Sequence, residues 1–228
     1  MLDLRENLRM SFGAKYVAED TASYILHGFD RSSLDGRAVD IERLCRYIGL
    51  DVACEYISGD CTELLGVVTF EPQRVVTDFG YLDLTKPTAI VERDVIDRGE
   101  SGLYRLVLAF ACSHALFNMT FSGEEEENAQ LSFGFESVPS KRKKLIPLSE
   151  AFGEIGRYED GVYSFALKLI MPKNGFKRKA AEIYARLGVN RSTVGNLVSL
   201  DVVADELSEI YGVPSAVVLA RMKQLNLY

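Results

Sequence analysis

Residues 101–119 read S-G-L-Y-R-L-V-L-A-F-A-C-S-H-A-L-F-N-M, and within them only Arg105 carries a permanent charge. A surface helix keeps one polar face, so a segment apolar almost all round is the signature of a central helix buried on every side. The rest of the chain is expected to pack around it.

Upstream, residues 14–29 (AKYVAEDTASYILHGF) place Tyr16, Ala22 and Ile25 in a loose helical rhythm. Residues 36–52 (GRAVDIERLCRYIGLDV) open a second helix, with Asp40 as its cap and Gly49 as its closing glycine. Three extended stretches rich in Val and Thr follow, Asp51–Ile57, Gly66–Phe70 and Arg74–Asp78, separated by Ser-Gly-Asp and Glu-Pro-Gln. Ala89–Arg93 reads as a further short strand. These predict a small sheet, at least partly antiparallel.

Downstream, Ser122 to Lys144 carries an acidic cluster, Glu124 to Glu127, a strand-like LSFGFES and a basic cluster, Lys141 to Lys144. Such charge blocks mark solvated loops, so the segment reads as a surface insertion. A helix from about Glu159 places Val162, Phe165, Ala166 and Leu169 on one face before Met171-Pro172 stops it. Two later segments, residues 187–197 and 203–225, have the rhythm of helix-turn-helix units, with Gly188 and Gly212 at the turns. The expected organisation is a domain over residues 1–171, with the insertion at about 122–144, and a helical region over 172–228.

With 228 residues, 47% of them hydrophobic, the chain can bury a substantial core. No apolar run approaches the roughly 20 residues that span a bilayer, and the first residues lack the pattern of a signal peptide. No membrane association and a cytoplasmic location are the expectation. Cys45, Cys54, Cys61 and Cys112 form no C-x-x-C pair and read as free thiols. The net charge of −7 argues against broad nucleic-acid binding. Residues 172–228 nevertheless hold eight Lys/Arg against five Asp/Glu, a local excess of +3 that permits DNA contact.

In zinc peptidases a helical His-Glu-x-x-His puts two imidazoles on one face, with the glutamate activating the metal's water. Arg105 to His114 reads R-L-V-L-A-F-A-C-S-H, and Glu159 to Pro172 reads E-D-G-V-Y-S-F-A-L-K-L-I-M-P. These two stretches resemble the ImmA/IrrE family of zinc-peptidase-like proteins, whose helices read R-F-T-L-A-H-E-L-G-H and E-x-x-A-N-x-F-A-x-x-L-L-M-P. Arg105, Leu108, Ala109 and His114 match the first; Phe165, Ala166, Leu169, Met171 and Pro172 keep the frame of the second, with Glu159 at the third ligand position. Val162 and Tyr163 replace its Ala and Asn. The helix-then-strand opening at residues 39–52 and the helical end at 203–227 are similar as well, so the resemblance covers nearly the whole chain.

The resemblance implies an α+β, zincin-like fold with a helical C-terminal region resembling helix-turn-helix, and it also implies a damaged site. Phe110 and Ala111 stand where the first histidine and the glutamate belong. His114 and Glu159 are then vestigial ligand positions, one short of the three protein ligands of a catalytic zinc site. A plainer reading makes His114 a buried or hydrogen-bonded histidine. Cys112 lies two positions from His114, roughly 200° around the helix, and cannot share its metal. Cys61 could approach from outside the helix, although a structural thiol is the simpler role. Glu124 to Glu127 are the only dense supply of carboxylates, and nothing in their spacing directs them inward.

No catalytic residue and no cofactor are therefore expected, zinc being the one candidate. The expected function is that of a catalytically impaired peptidase-like protein in transcriptional regulation. It would bind a protein partner such as a helix-turn-helix repressor, since active relatives inactivate such repressors on mobile elements or in stress responses. One alternative is a metal-dependent peptidase with a rearranged site. Another is a DNA-binding regulator using the C-terminal helices, whose basic residues Arg191, Arg221 and Lys223 are poorly placed, because recognition helices read bases with their N-terminal residues.

Overall fold

The computed structural model describes residues 18–57, 64–121, 143–147, 161–188 and 197–228. The first element, α1 (Ala18–Phe29), carries Glu19 and Asp20 in its first turn, where they complement the positive end of the helix dipole. Asp30 caps the 3-10 turn Arg31–Asp35 by accepting from Ser32 N at 2.9 Å and Ser32 Oγ at 2.8 Å. Those two bonds hold its carboxyl below the usual aspartate range. Helix α2 (Ile41–Tyr47) begins as expected, with Asp40 accepting from Arg43 N, and Gly49 follows its end at φ +89°.

The main sheet has four strands in the order β1 (Asp51–Glu55), β5 (Thr88–Glu92), β2 (Leu64–Thr69), β6 (Lys143–Pro147). Strands β1 and β5 run parallel, while β2 is antiparallel to both β5 and β6. A separate antiparallel ribbon pairs β3 (Gln73–Thr77) with β4 (Gly80–Leu84) in the register Arg74↔Asp83 and Val76↔Tyr81. The period-2 geometry of the strands then divides their side chains between two cores. Val68, Ala89, Val91 and Ile146 face the main core, whereas Val67, Ile90 and Leu64 meet Val75 and Ile57 beneath the ribbon.

The short helix α3 (Arg93–Asp97) leads into α4 (Ser101–Phe121), the long apolar helix, which lies on the face of the sheet away from the ribbon. Gly66 sets the approach: a Cβ there would fall 2.8 Å from Val107 and 2.7 Å from Ile90 O. On its other sides α4 meets α2 and α5 (Gly161–Ile170). Pro172 stops α5 and starts α6 (Lys173–Arg186). The tail is α7 (Leu197–Tyr211) and α8 (Ser215–Gln224), joined at Gly212, φ +61°. That turn is tied by Ser208 Oγ donating to Val213 O at 2.6 Å. One continuous core runs from Leu26 through Leu106 and Phe165 to Leu207 and Met222, and so crosses residue 172.

The α+β class and the central buried helix are as the sequence predicts, and the sheet is mixed. Three details differ. Lys143 and Lys144, taken as the end of a surface insertion, begin strand β6, because alternate Ile146 is drawn into the main core. Strand β4 is an addition to the expected strands, its G-Y-L-D-L carrying little apolar periodicity. Arg93 starts a helix rather than ending a strand, with Glu92 capping it through Asp94 N.

Arg221, read as a basic residue late on a recognition helix, is instead fully buried. Its guanidinium holds both carboxylate oxygens of Glu19, at 2.6 and 2.9 Å, and donates from Nε to Met171 O at 3.0 Å. A fork that matches a carboxylate in this way is specific to arginine. Lys223 remains exposed. Arg221→Met should lower stability by about 3 kcal/mol, because it strands a partly buried carboxylate and a carbonyl; Arg221→Lys should recover only part of this, both read by urea unfolding.

Candidate functional site

Phe110 and His114 stand one turn apart on α4, so they share the face that packs on α5. Tyr163 of α5 meets both. Its ring lies 5.2 Å from Phe110 at 79° and 6.4 Å from His114 at 88°, the edge-to-face arrangement that aromatic quadrupoles favour. Phe110 and Ala111 are buried in the main core. The positions that the resemblance assigns to a ligand and a base are thus core packing, with the ring of Phe110 edge-on to Tyr163.

Part of His114 reaches the surface, but Nε2 is buried and has no hydrogen-bond partner among the described residues. Charging a nitrogen in that position is costly. Burial pushes the imidazole down to about 3, and the positive charge of Lys144 on β6 adds to the effect. His114 is therefore neutral at physiological pH. The neighbouring Ser113 Oγ is also buried, with no partner among the described residues.

Among the described residues no group of three or more His, Cys, Asp or Glu side chains could hold a metal. Among the described residues, a dication at His114 would meet one imidazole nitrogen, two aromatic rings and the field of a lysine ammonium, which is not by itself a zinc ligand set. Glu159, Cys61, Glu124 to Glu127 and Arg191 lie outside the described residues. Cys112 faces away from His114, with its Sγ 3.3 Å from Cys45 Sγ on α2.

A cleft of about 800 Å³ opens elsewhere, at the N-terminal end of α4, lined by Leu64, Glu92, Arg98, Glu100, Ser101 and Pro214 among others. Thirteen residues of helix, about 20 Å, separate Ser101 from His114, so this cleft and the motif positions are distinct. Among the described residues no helix is long and apolar enough to cross a membrane.

Two residues of the site escaped sequence reading. Tyr163 registered only as a departure from a motif, although an aromatic one turn from Phe165's neighbours is what walls the site. Lys144 carried no signal, because its charge cluster concealed a strand. Compared with known protein families, curated proteins and solved structures, the chain matches none.

The lowered His114 pKa has a definite sign in stability. Between pH 6.5 and about 3 the unfolded chain binds a proton at this residue that the folded chain refuses, so His114 costs stability as pH falls through that window. His114→Gln should remove this component. Between pH 7 and 5 the variant should lose about 1–2 kcal/mol less than the parent in urea unfolding; equal losses would mean that the imidazole is protonated in the fold.

Proposed function

We propose that this chain is a catalytically impaired, peptidase-like protein that keeps the scaffold of the ImmA/IrrE family in order to bind a protein partner, such as a helix-turn-helix repressor, in transcriptional regulation. The observation that carries the reading is Phe110. An apolar ring, fully buried and held edge-on by Tyr163, stands where the resemblance places the first metal-binding histidine, and Ala111 stands in the place of the base. Hydrolysis at such a metal needs an open coordination position and a group to take the water's proton. Neither can be assembled from Phe110 and Ala111.

A protein partner is supported by the outward face of the β3–β4 ribbon. Val76 and Tyr81, opposite each other there, are 53 and 70% exposed, and Phe79 in the turn that joins the strands is 83% exposed with its ring edge-on to Tyr56. Exposed aromatics grouped on one face are a feature of protein interfaces. The charge beside them is balanced rather than basic, since Arg74 pairs with Asp83 at 2.6 Å and lies over the Tyr81 ring. Arg221, one of the cations on which DNA reading by the tail would draw, is committed to Glu19.

Two measurements test this. Purified chain mixed with a helix-turn-helix repressor encoded beside its gene should form a complex from which the repressor is recovered at full length, with or without added zinc. Joint Phe79→Ser and Tyr81→Ser substitution should weaken that complex about tenfold or more. Zinc-dependent cleavage of the repressor that disappears in His114→Ala would instead establish the rearranged-site peptidase.

Restoring the motif gives a second, independent check. Phe110→His with Ala111→Glu should yield a variant whose thermal midpoint rises on adding zinc, while the parent's does not move. A variant indifferent to zinc would count against an ancestral metal site at this helix.

A further inference from the structure

Cys45 on α2 and Cys112 on α4 meet inside the main core, both fully buried, with their Sγ atoms 3.3 Å apart. The four cysteines form no pair in sequence; helix packing makes two of them one. The contact is not loose. Tyr104 Oη donates to Glu42 Oε1 at 2.8 Å, and the Arg105 guanidinium donates to Val39 O, also at 2.8 Å. Residues 39, 42 and 45 are thereby set against 105, 104 and 112, which keeps the helices from sliding and the two sulfurs from parting.

A disulfide places its sulfurs about 2.0 Å apart, so roughly 1.3 Å of approach closes the pair. Closure then asks for rotation of the two side chains and a shift of that size in the seven-residue α2. We propose that Cys45 and Cys112 are a site of reversible oxidation by hydroperoxides, closing to a disulfide that staples α2 to the central helix.

The chemistry balances with one peroxide. One sulfur, as its thiolate, attacks a peroxide oxygen; the O–O bond breaks, a sulfenic acid forms, and the departing hydroxide takes the proton that the thiol gave up and leaves as water. The second sulfur attacks the sulfenic sulfur, the S–OH bond breaks, and the departing hydroxide takes the second thiol's proton as another water. Two thiols and hydrogen peroxide thus become a disulfide and two waters, and an external dithiol reverses the step by exchange. Burial pushes the Cys112 thiol well up, so reaction waits on local opening of α2. The pair is therefore suited to register sustained oxidant rather than a brief pulse. This inference is independent of the partner proposed above.

The full-length chain, treated with hydrogen peroxide for hours and then alkylated in denaturant, should carry two alkyl groups fewer than the untreated protein. Digestion should yield a peptide pair joining Cys45 to Cys112. Closing a loop between residues 67 apart in sequence should also raise the thermal midpoint by roughly 10 °C, an increase that dithiothreitol abolishes. Cys45→Ala and Cys112→Ala should each eliminate the cross-link and the rise; if either fails to fold, the peptide map of the parent chain decides alone. Four alkylatable thiols after treatment, or a cross-link through Cys54 or Cys61, would overturn the proposal.

Discussion

A helix with no polar face has to be enclosed on every side, and α4 is such a helix. From Leu103 to Leu116 it presents apolar side chains in all directions, and the fold answers with the sheet beneath it, α2 and α5 alongside, and the α7–α8 turn at its N-terminal end. The few polar atoms on α4 are accordingly pressed into structural duty or left stranded. Arg105 illustrates the first outcome: one side chain satisfies Val39 O ahead of α2 and Tyr211 O at the end of α7. It thereby joins two otherwise distant backbone segments through the helix they both enclose. Ser113 and the Nε2 of His114 illustrate the second.

That enclosure accounts for what the sequence discloses and what it conceals. The central helix, the Asp40 cap and the Gly49 terminus were legible because each depends on residues adjacent in the chain. Strand β4 was not, since G-Y-L-D-L acquires its meaning only opposite Q-R-V-V-T, where Arg74 finds Asp83 and Val76 finds Tyr81. Strand β6 was hidden for a related reason. A K-K-L-I-P segment looks solvated until Ile146 is seen to enter the main core from the sheet edge. The Cys45–Cys112 contact and the Arg221–Glu19 pair depend on how helices cross, and no local pattern encodes a crossing.

The candidate site was legible in part, as a set of losses. Phe110 and Ala111 could be read as substitutions within a motif, but their burial and the edge-on packing of Tyr163 are properties of two helices together. The imidazole of His114 is a polar group in an apolar wall, and its environment resolves the conflict by keeping it neutral.

The bond between Arg221 and Glu19 spans 202 residues. A contact of that span belongs to the slow end of folding, because the entropy of closing so long a loop is met before the contact contributes anything. Synthesis runs from α1 toward α8, so Glu19 emerges from the ribosome long before its counterpart. Until α8 arrives, the carboxylate lacks its guanidinium and the main core lacks Val217, Val218 and Met222. The nascent chain is thus obliged to carry an unfinished apolar surface until α8 emerges, which is the condition under which chaperones bind.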